Sequence, residues 1–167
     1  MTKTAKNVVK LLTIAAILVV VTCLLLVGCN KVEELKDLGK PEAEEGTKSI
    51  TVYVQNGNGY TKIETSTTEE YLEAVLLKLL QDQQLSECTI SGGFISSINN
   101  MPGDTPRAYI AVFHDLEEGE GETLVDRGDY APADIEYDGK TFAYSAVGVS
   151  SLPVRDGAGY LFKVETY

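Results

Sequence analysis

Histidine is almost missing from this chain: among 167 residues His114 is the single imidazole, tryptophan is absent, and cysteine occurs three times. A zinc site wants three or four ligands at defined spacing, and no second histidine or His/Cys spacing accompanies His114. Ser-His-Asp chemistry has no Gly-x-Ser-x-Gly elbow to start from. A Cys-His pair reduces to Cys88 with His114, and a half-buried inert thiol is the simpler reading of Cys88. Asn56-Gly57-Asn58-Gly59 lacks the Lys-Ser/Thr ending of a phosphate loop. No enzyme is expected. Basic residues are scarce too, with 14 Lys plus Arg against 25 Asp plus Glu, a net charge of −11. Such a surface repels phosphate backbones, so nucleic acid is not expected as a partner.

What the chain has in quantity, it has first at the N-terminus. Lys3, Lys6 and Lys10 precede an apolar run from Leu11 to Val27, broken only by Thr13, Thr22 and Cys23, which is the order of an exported leader. The run ends on Leu26-Val27-Gly28-Cys29, which resembles the lipobox of bacterial lipoprotein precursors. That resemblance implies a diacylglycerol on Cys29, and two chains hold a domain at a bilayer where one binds marginally. Residues 1–28 are then the signal peptide, and the domain sits on the outer face of the cell membrane. The competing reading is an uncleaved membrane helix, because about 18 apolar residues is the lower limit for a span. Removing the leader's three lysines leaves 11 basic residues against 25 acids, a net charge of −14. Cys88 is then the lone free thiol, no intramolecular disulfide is available, and this fits a Gram-positive surface lipoprotein.

Residues 29–48 read as a charged flexible tether: from Asn30 to Lys48 ten of nineteen side chains are charged, too few being apolar to offset the entropy of ordering. A short helix over Val32 to Leu38 is the one element it could hold. Residues 49–167 are long enough for one domain with one core. Ile50 to Val54 alternates with strand period, and Asn56-Gly57-Asn58-Gly59 turns it back through Tyr60 to Thr65. Thr67-Thr68-Glu69-Glu70 has the form of a capping box. Tyr71, Leu72, Val75, Leu76, Leu79 and Leu80 then recur at helical spacing, with little positive charge opposite, which predicts a helix packed on a sheet. Phe94–Ile98 and Arg107–Phe113 read as strands, the second apolar on both faces and therefore central. Asp138-Gly139 joins a second hairpin, and Tyr160 to Glu165 closes the sheet. One helix after a hairpin with more strands behind is an α+β pattern.

Gly93-Phe94-Ile95-Ser96-Ser97-Ile98-Asn99-Asn100 and Gly148-Val149-Ser150-Ser151-Leu152-Pro153-Val154-Arg155-Asp156-Gly157 resemble the two signature stretches of the transcobalamin-like C-terminal domain family. That family is common in lipoproteins and surface proteins of Gram-positive bacteria. The resemblance covers Ser49 to the end and implies a single small β-grasp-like domain, a mixed sheet packed on one main helix. It also implies a ligand of cobalamin or other nutrient type, since in transcobalamins this domain covers one face of the corrin. The candidate ligand-binding residues are Phe94, Tyr109, Phe113, His114, Val149 and Pro153, with no resident cofactor or metal. Three features depart from the family: no Trp precedes the turn after Phe113, the closing stretch is Asp156-Gly157-Ala158, and an acidic insertion spans 116–133. No helical partner domain is expected beside it.

Two readings of function follow. One is a lipid-anchored extracytoplasmic binding module, holding a small molecule or presenting a surface to a membrane transporter. The alternative is a surface structural or adhesion protein acting through a sheet edge or the acidic loop. Arg127-Gly128-Asp129 within that loop matches the integrin-binding tripeptide, but any tripeptide arises easily by chance and an Arg-Gly turn followed by an acid is the simpler reading. The loop itself reads as solvated and mobile, or as a weak calcium site. The tyrosines at 53, 60, 109, 130, 137, 144 and 160 supply either an aromatic binding face or caps on sheet edges.

Overall fold

The computed structural model describes residues 40–102, 106–119 and 122–166. The expected signal peptide, Cys29, the candidate helix at 32–38 and most of the expected tether lie outside the described residues. No helix among the described residues is long and apolar enough to cross a membrane.

Strand β1 (Lys48–Asn56) turns through Gly57-Asn58 into β2 (Gly59–Thr67). Gly57 takes φ +61, the left-handed value a two-residue hairpin loop demands and glycine adopts without steric cost. Helix α1 (Leu72–Gln81) follows, then a small three-stranded sheet of β3 (Cys88–Ser91), β4 (Phe94–Ile98) and β5 (Met101–Pro102). The main sheet resumes with β6 (Ala108–His114), the hairpin β7 (Ile135–Tyr137) and β8 (Lys140–Tyr144), and finally β9 (Gly159–Thr166). The β7–β8 turn has Asp138 at φ 51 and Gly139 at φ 75, the paired left-handed residues of a type I′ turn.

The main sheet runs β2-β1-β9-β6-β8-β7, with β1 and β9 parallel and every other neighbour antiparallel. The architecture is therefore α+β with a mixed sheet. The last strand does not close an edge: β9 sits in the middle, between β1 and β6. That position accounts for its run of buried Tyr160, Leu161 and Phe162, since a central strand hides both faces.

Each face of the sheet has its own core. On one, α1 presses Leu72, Val75, Leu76 and Leu79 onto Val52, Val54, Ile110, Tyr160 and Phe162. Each such side chain contributes about 1.5–3 kcal/mol when fully buried. On the other, Tyr53, Ala111, Phe113, Phe142 and Leu161 cluster with Tyr60, Tyr109, Tyr137 and Tyr144 around them. Tyr60 on outermost β2 meets Tyr137 on outermost β7, ring centroids 4.7 Å apart. The sheet is thus rolled until its two edges touch through side chains. Tyr53 donates its hydroxyl to Asp138 Oδ2 at 2.7 Å, and Lys62 reaches the same oxygen at 3.1 Å. Burial, with Asp138 as acceptor, pushes the Tyr53 hydroxyl up to about 12.

The helix begins differently from the capping-box expectation. Its N-cap is Tyr71, in extended conformation and without a side-chain cap bond. Thr67 is the last residue of β2, and its hydroxyl accepts from Glu69 N at 3.1 Å. The first helical amides instead donate to remote carbonyls: Leu72 N to Leu152 O and Glu73 N to Val149 O, both 3.0 Å. Val154 N returns a bond to Glu70 O at 2.8 Å. A tertiary partner does the work that a local hydroxyl was expected to do.

The compact unit starts at Pro41 rather than at Ser49. Pro41 O accepts from Tyr71 Oη at 3.1 Å, and Glu44 Oε2 accepts from Asp156 N at 2.8 Å. Lys48 is fully buried, its Nζ donating to Glu44 O at 2.5 Å. The C-terminal part of the expected tether is therefore docked, because its carbonyls and carboxylates satisfy donors that face it.

Candidate ligand groove

A groove of about 570 Å³ opens between β4 and β6, closed at one end by the segment that leaves β8 at Tyr144 and crosses to Gly148. Phe94, 73% exposed, stands at its rim, while Tyr109 and Tyr144 line it half-buried. Asp126 is the charged group on a wall otherwise made of apolar, hydroxyl and backbone groups.

The 93–100 and 148–157 stretches meet at this groove. Gly93 O accepts from Val149 N at 2.9 Å. A methyl group on Gly148 would stand 2.6 Å from Gly93 O, and one on Gly93 would stand 2.5 Å from Ser150 Oγ, with Gly93 already at φ +83. Gly148 is required by the close approach of two backbones, and Gly93 by its left-handed φ and the Ser150 side chain against it. The same 148–152 segment caps α1, so it joins helix, small sheet and groove in one hydrogen-bonded unit.

Of the six residues expected to bind ligand, the groove brings together two, Phe94 and Tyr109. Phe113 is fully buried in the second core, behind Tyr144 at 5.6 Å between ring centroids. Val149 is fully buried under α1, and Pro153 is buried, its carbonyl accepting from Tyr160 Oη at 2.8 Å. His114 is fully buried, with Nε2 3.0 Å from Leu124 O and Nδ1 accepting from Leu116 N at 3.2 Å. Those partners assign the neutral ring with its proton on Nε2, and burial holds its pKa below the usual imidazole value. Both ring nitrogens are spent on the chain, so His114 fastens a loop and faces no ligand. Sequence reasoning missed Tyr144 and Asp126 as site residues. Tyr144 carried a signal as one of many tyrosines, and Asp126 carried none.

The acidic insertion is anchored where it is described. Leu124 and Val125 are buried, Val125 bridges to Ser145, and Glu118 Oε1 accepts from Leu124 N and Val125 N, both at 2.9 Å. Those two amides hold the Glu118 carboxyl below the usual range. Glu122 is gripped by Arg155 Nη2 at 2.7 Å to each oxygen, which lowers its pKa as well. The carboxylates thus face amides and a guanidinium rather than one another. Among the described residues no group of three or more His, Cys, Asp or Glu could hold a metal ion. Arg127, Gly128 and Asp129 lie on an exposed turn beside Tyr130, which is 100% exposed. Cys88 is half-buried, and burial, then Glu73 and Glu87, push its thiol up to about 11.

No family model and no curated protein matches the chain. Among solved structures, the chain is similar to a crystal structure described as that of a "putative metal binding protein" from Ruminococcus gnavus ATCC 29149, at 16% identity and a TM-score of 0.45, over 72% of this chain and 98% of that one.

Proposed function

We propose that the protein is a lipid-anchored extracytoplasmic binding module, of transcobalamin-like β-grasp type, that receives its ligand in the groove between β4 and β6 and acts beside a membrane transporter. The groove is the observation that carries this reading: about 570 Å³ of concave surface with an exposed phenyl ring at the rim and two tyrosines inside. Exposed aromatic rings on a rigid frame bind by burying area at low entropic cost. The β-grasp assignment draws support from the parallel pairing of the first and last strands, with α1 crossing one face. The anchor draws support from the Leu26-Val27-Gly28-Cys29 stretch alone.

The test is a thermal-shift screen of the full-length chain in detergent against cobalamins, other vitamins and sugars. A ligand at a hundred times its dissociation constant should stabilise by about 2.7 kcal/mol, and Phe94→Ala should reduce the shift. A panel that moves no midpoint counts against the reading. Mass spectrometry of protein from its own host should find a diacylated thiol at Cys29. An unmodified thiol there sinks the anchor and leaves the groove untouched.

The second reading, a surface adhesion protein, is favoured by the exposed turn at Arg127-Gly128-Asp129. Immobilised protein that supports cell attachment, lost in Asp129→Ala, would select it.

A further inference from the structure

The groove lies where a strand is missing. β6 pairs with β9 along its whole length, yet with β8 only at Phe113 and His114, after which Ser145 N donates one last bond to Val112 O at 2.8 Å and the chain departs. In an antiparallel ladder, residues bond alternately to the left and right neighbour. Val164, opposite Ile110, sends its amide away to Gln55 Oε1 at 2.8 Å, so the Ile110 pair is one of those that face outward. Ile110 and Ala108 therefore direct N–H and C=O groups along the side that β8 has vacated, on the same side as Val112 O. The opposite wall has the same character: β4 is paired with β5 only at Ser97 and Ile98, leaving Phe94–Ser96 without a ladder partner there among the described residues. Two backbone edges thus border one groove.

Donors and acceptors that recur every second residue along an edge match one chemistry above others, another extended backbone. The wall charge narrows the choice: Asp126 is an exposed carboxylate, no Lys or Arg is among the described lining residues, and the chain is strongly acidic. We propose that the groove takes an extended segment of a partner protein, bearing one basic side chain, as an added strand on the open edge of β6 from Ala108 to Val112. Main-chain bonds to Ala108 and Ile110 supply the alignment, Phe94 and Tyr109 cover the segment's alternate side chains, and Asp126 faces the cation. This rests on the groove being the binding site and replaces a small molecule by a peptide as its occupant.

The test uses the full-length chain in detergent and a pool of labelled peptides of about seven residues, alternating β-branched and polar positions, with one arginine moved through each position. Fluorescence anisotropy should show saturable binding by members of the pool. N-methylation of alternate backbone amides on the edge facing β6 should weaken the best member about tenfold or more, whereas methylation of the other set should not. Ala108→Pro, at the first residue of the strand where proline is tolerated, should weaken it as well, with the melting curve reporting the fold. Asp126→Asn should remove the preference for arginine over glutamate in the peptide. Equal binding by both methylated forms would overturn strand addition while leaving the groove a binding site. A pool that fails where a small molecule from the thermal-shift panel binds would overturn it in the same way. Failure of both pool and panel removes the groove reading itself.

Discussion

Gly93 O and Val149 N, fifty-six positions apart in the sequence, share a 2.9 Å hydrogen bond that brings the 93–100 and 148–157 stretches into one structure. The bond needs both chains at van der Waals limit, with Gly148 beneath Gly93 and no room for a methyl group. Helix capping, groove shape and the position of the small sheet all depend on this approach.

Gly148→Ala should therefore destabilise by about 1–3 kcal/mol, the range for forcing an extra carbon into a packed site. Urea unfolding measures the loss, and the variant should also weaken any ligand that the groove binds. A variant as stable as the parent would show that the two backbones can separate freely.

Stability should fall with acidity in a window that belongs to His114. The ring is neutral and its folded pKa lies below the usual value, mainly through burial, with Arg155 assisting against the raising effects of Leu124 O, Asp115 and Glu118. Its contribution is fully present above about 6.5, where the unfolded ring is also neutral, and is lost as pH falls toward the folded pKa. Since His114 is the chain's one histidine, the slope of unfolding free energy as pH falls below about 6.5 reports it. His114→Gln should flatten that slope, whatever it does to stability at pH 8. The lowered carboxyls of Glu118, Glu122 and Asp138 act in the same direction at lower pH.

The contact between Tyr60 and Tyr137 should give a coupling of about 0.5–1.5 kcal/mol in a double-mutant cycle to alanine, the range for tilted and edge-on ring pairs. The measurement bears on the roll of the sheet, because these residues belong to strands at opposite ends of the strand order. Coupling near zero would mean that the edges do not meet in solution.

Glu70→Ala should leave stability within about 0.5 kcal/mol, the usual result for an exposed site without a special role. A capping box would make the same change cost about 1 kcal/mol. Chemical denaturation of the single variant separates the two, since the helix amides here are met by Leu152 O and Val149 O.

Local pattern was legible wherever one residue's neighbours in sequence are also its neighbours in space. The Gly57-Asn58 and Asp138-Gly139 turns, the buried stripe Leu72, Val75, Leu76 and Leu79, and the two-faced strand through Ile110 follow from turn chemistry and periodicity. β3 was not legible, because Cys88–Ser91 alternates between half-buried and exposed residues over only four positions. The docking of Pro41–Lys48 was hidden by its charge, which reads as solvated until Tyr71 Oη and Asp156 N are seen to donate to Pro41 O and Glu44 Oε2.

Sequence alone determined the α+β class, the hairpins, the helix and the acidic, histidine-poor chemistry, since dihedral preference and side-chain period act over a few residues. Tertiary structure alone decided that His114, Phe113, Val149 and Pro153 turn inward while Phe94 and Tyr109 share a groove with Tyr144 and Asp126. Which face of a strand is covered, and where β8 abandons β6, depends on backbone meetings between segments far apart in the chain, and no local pattern encodes those.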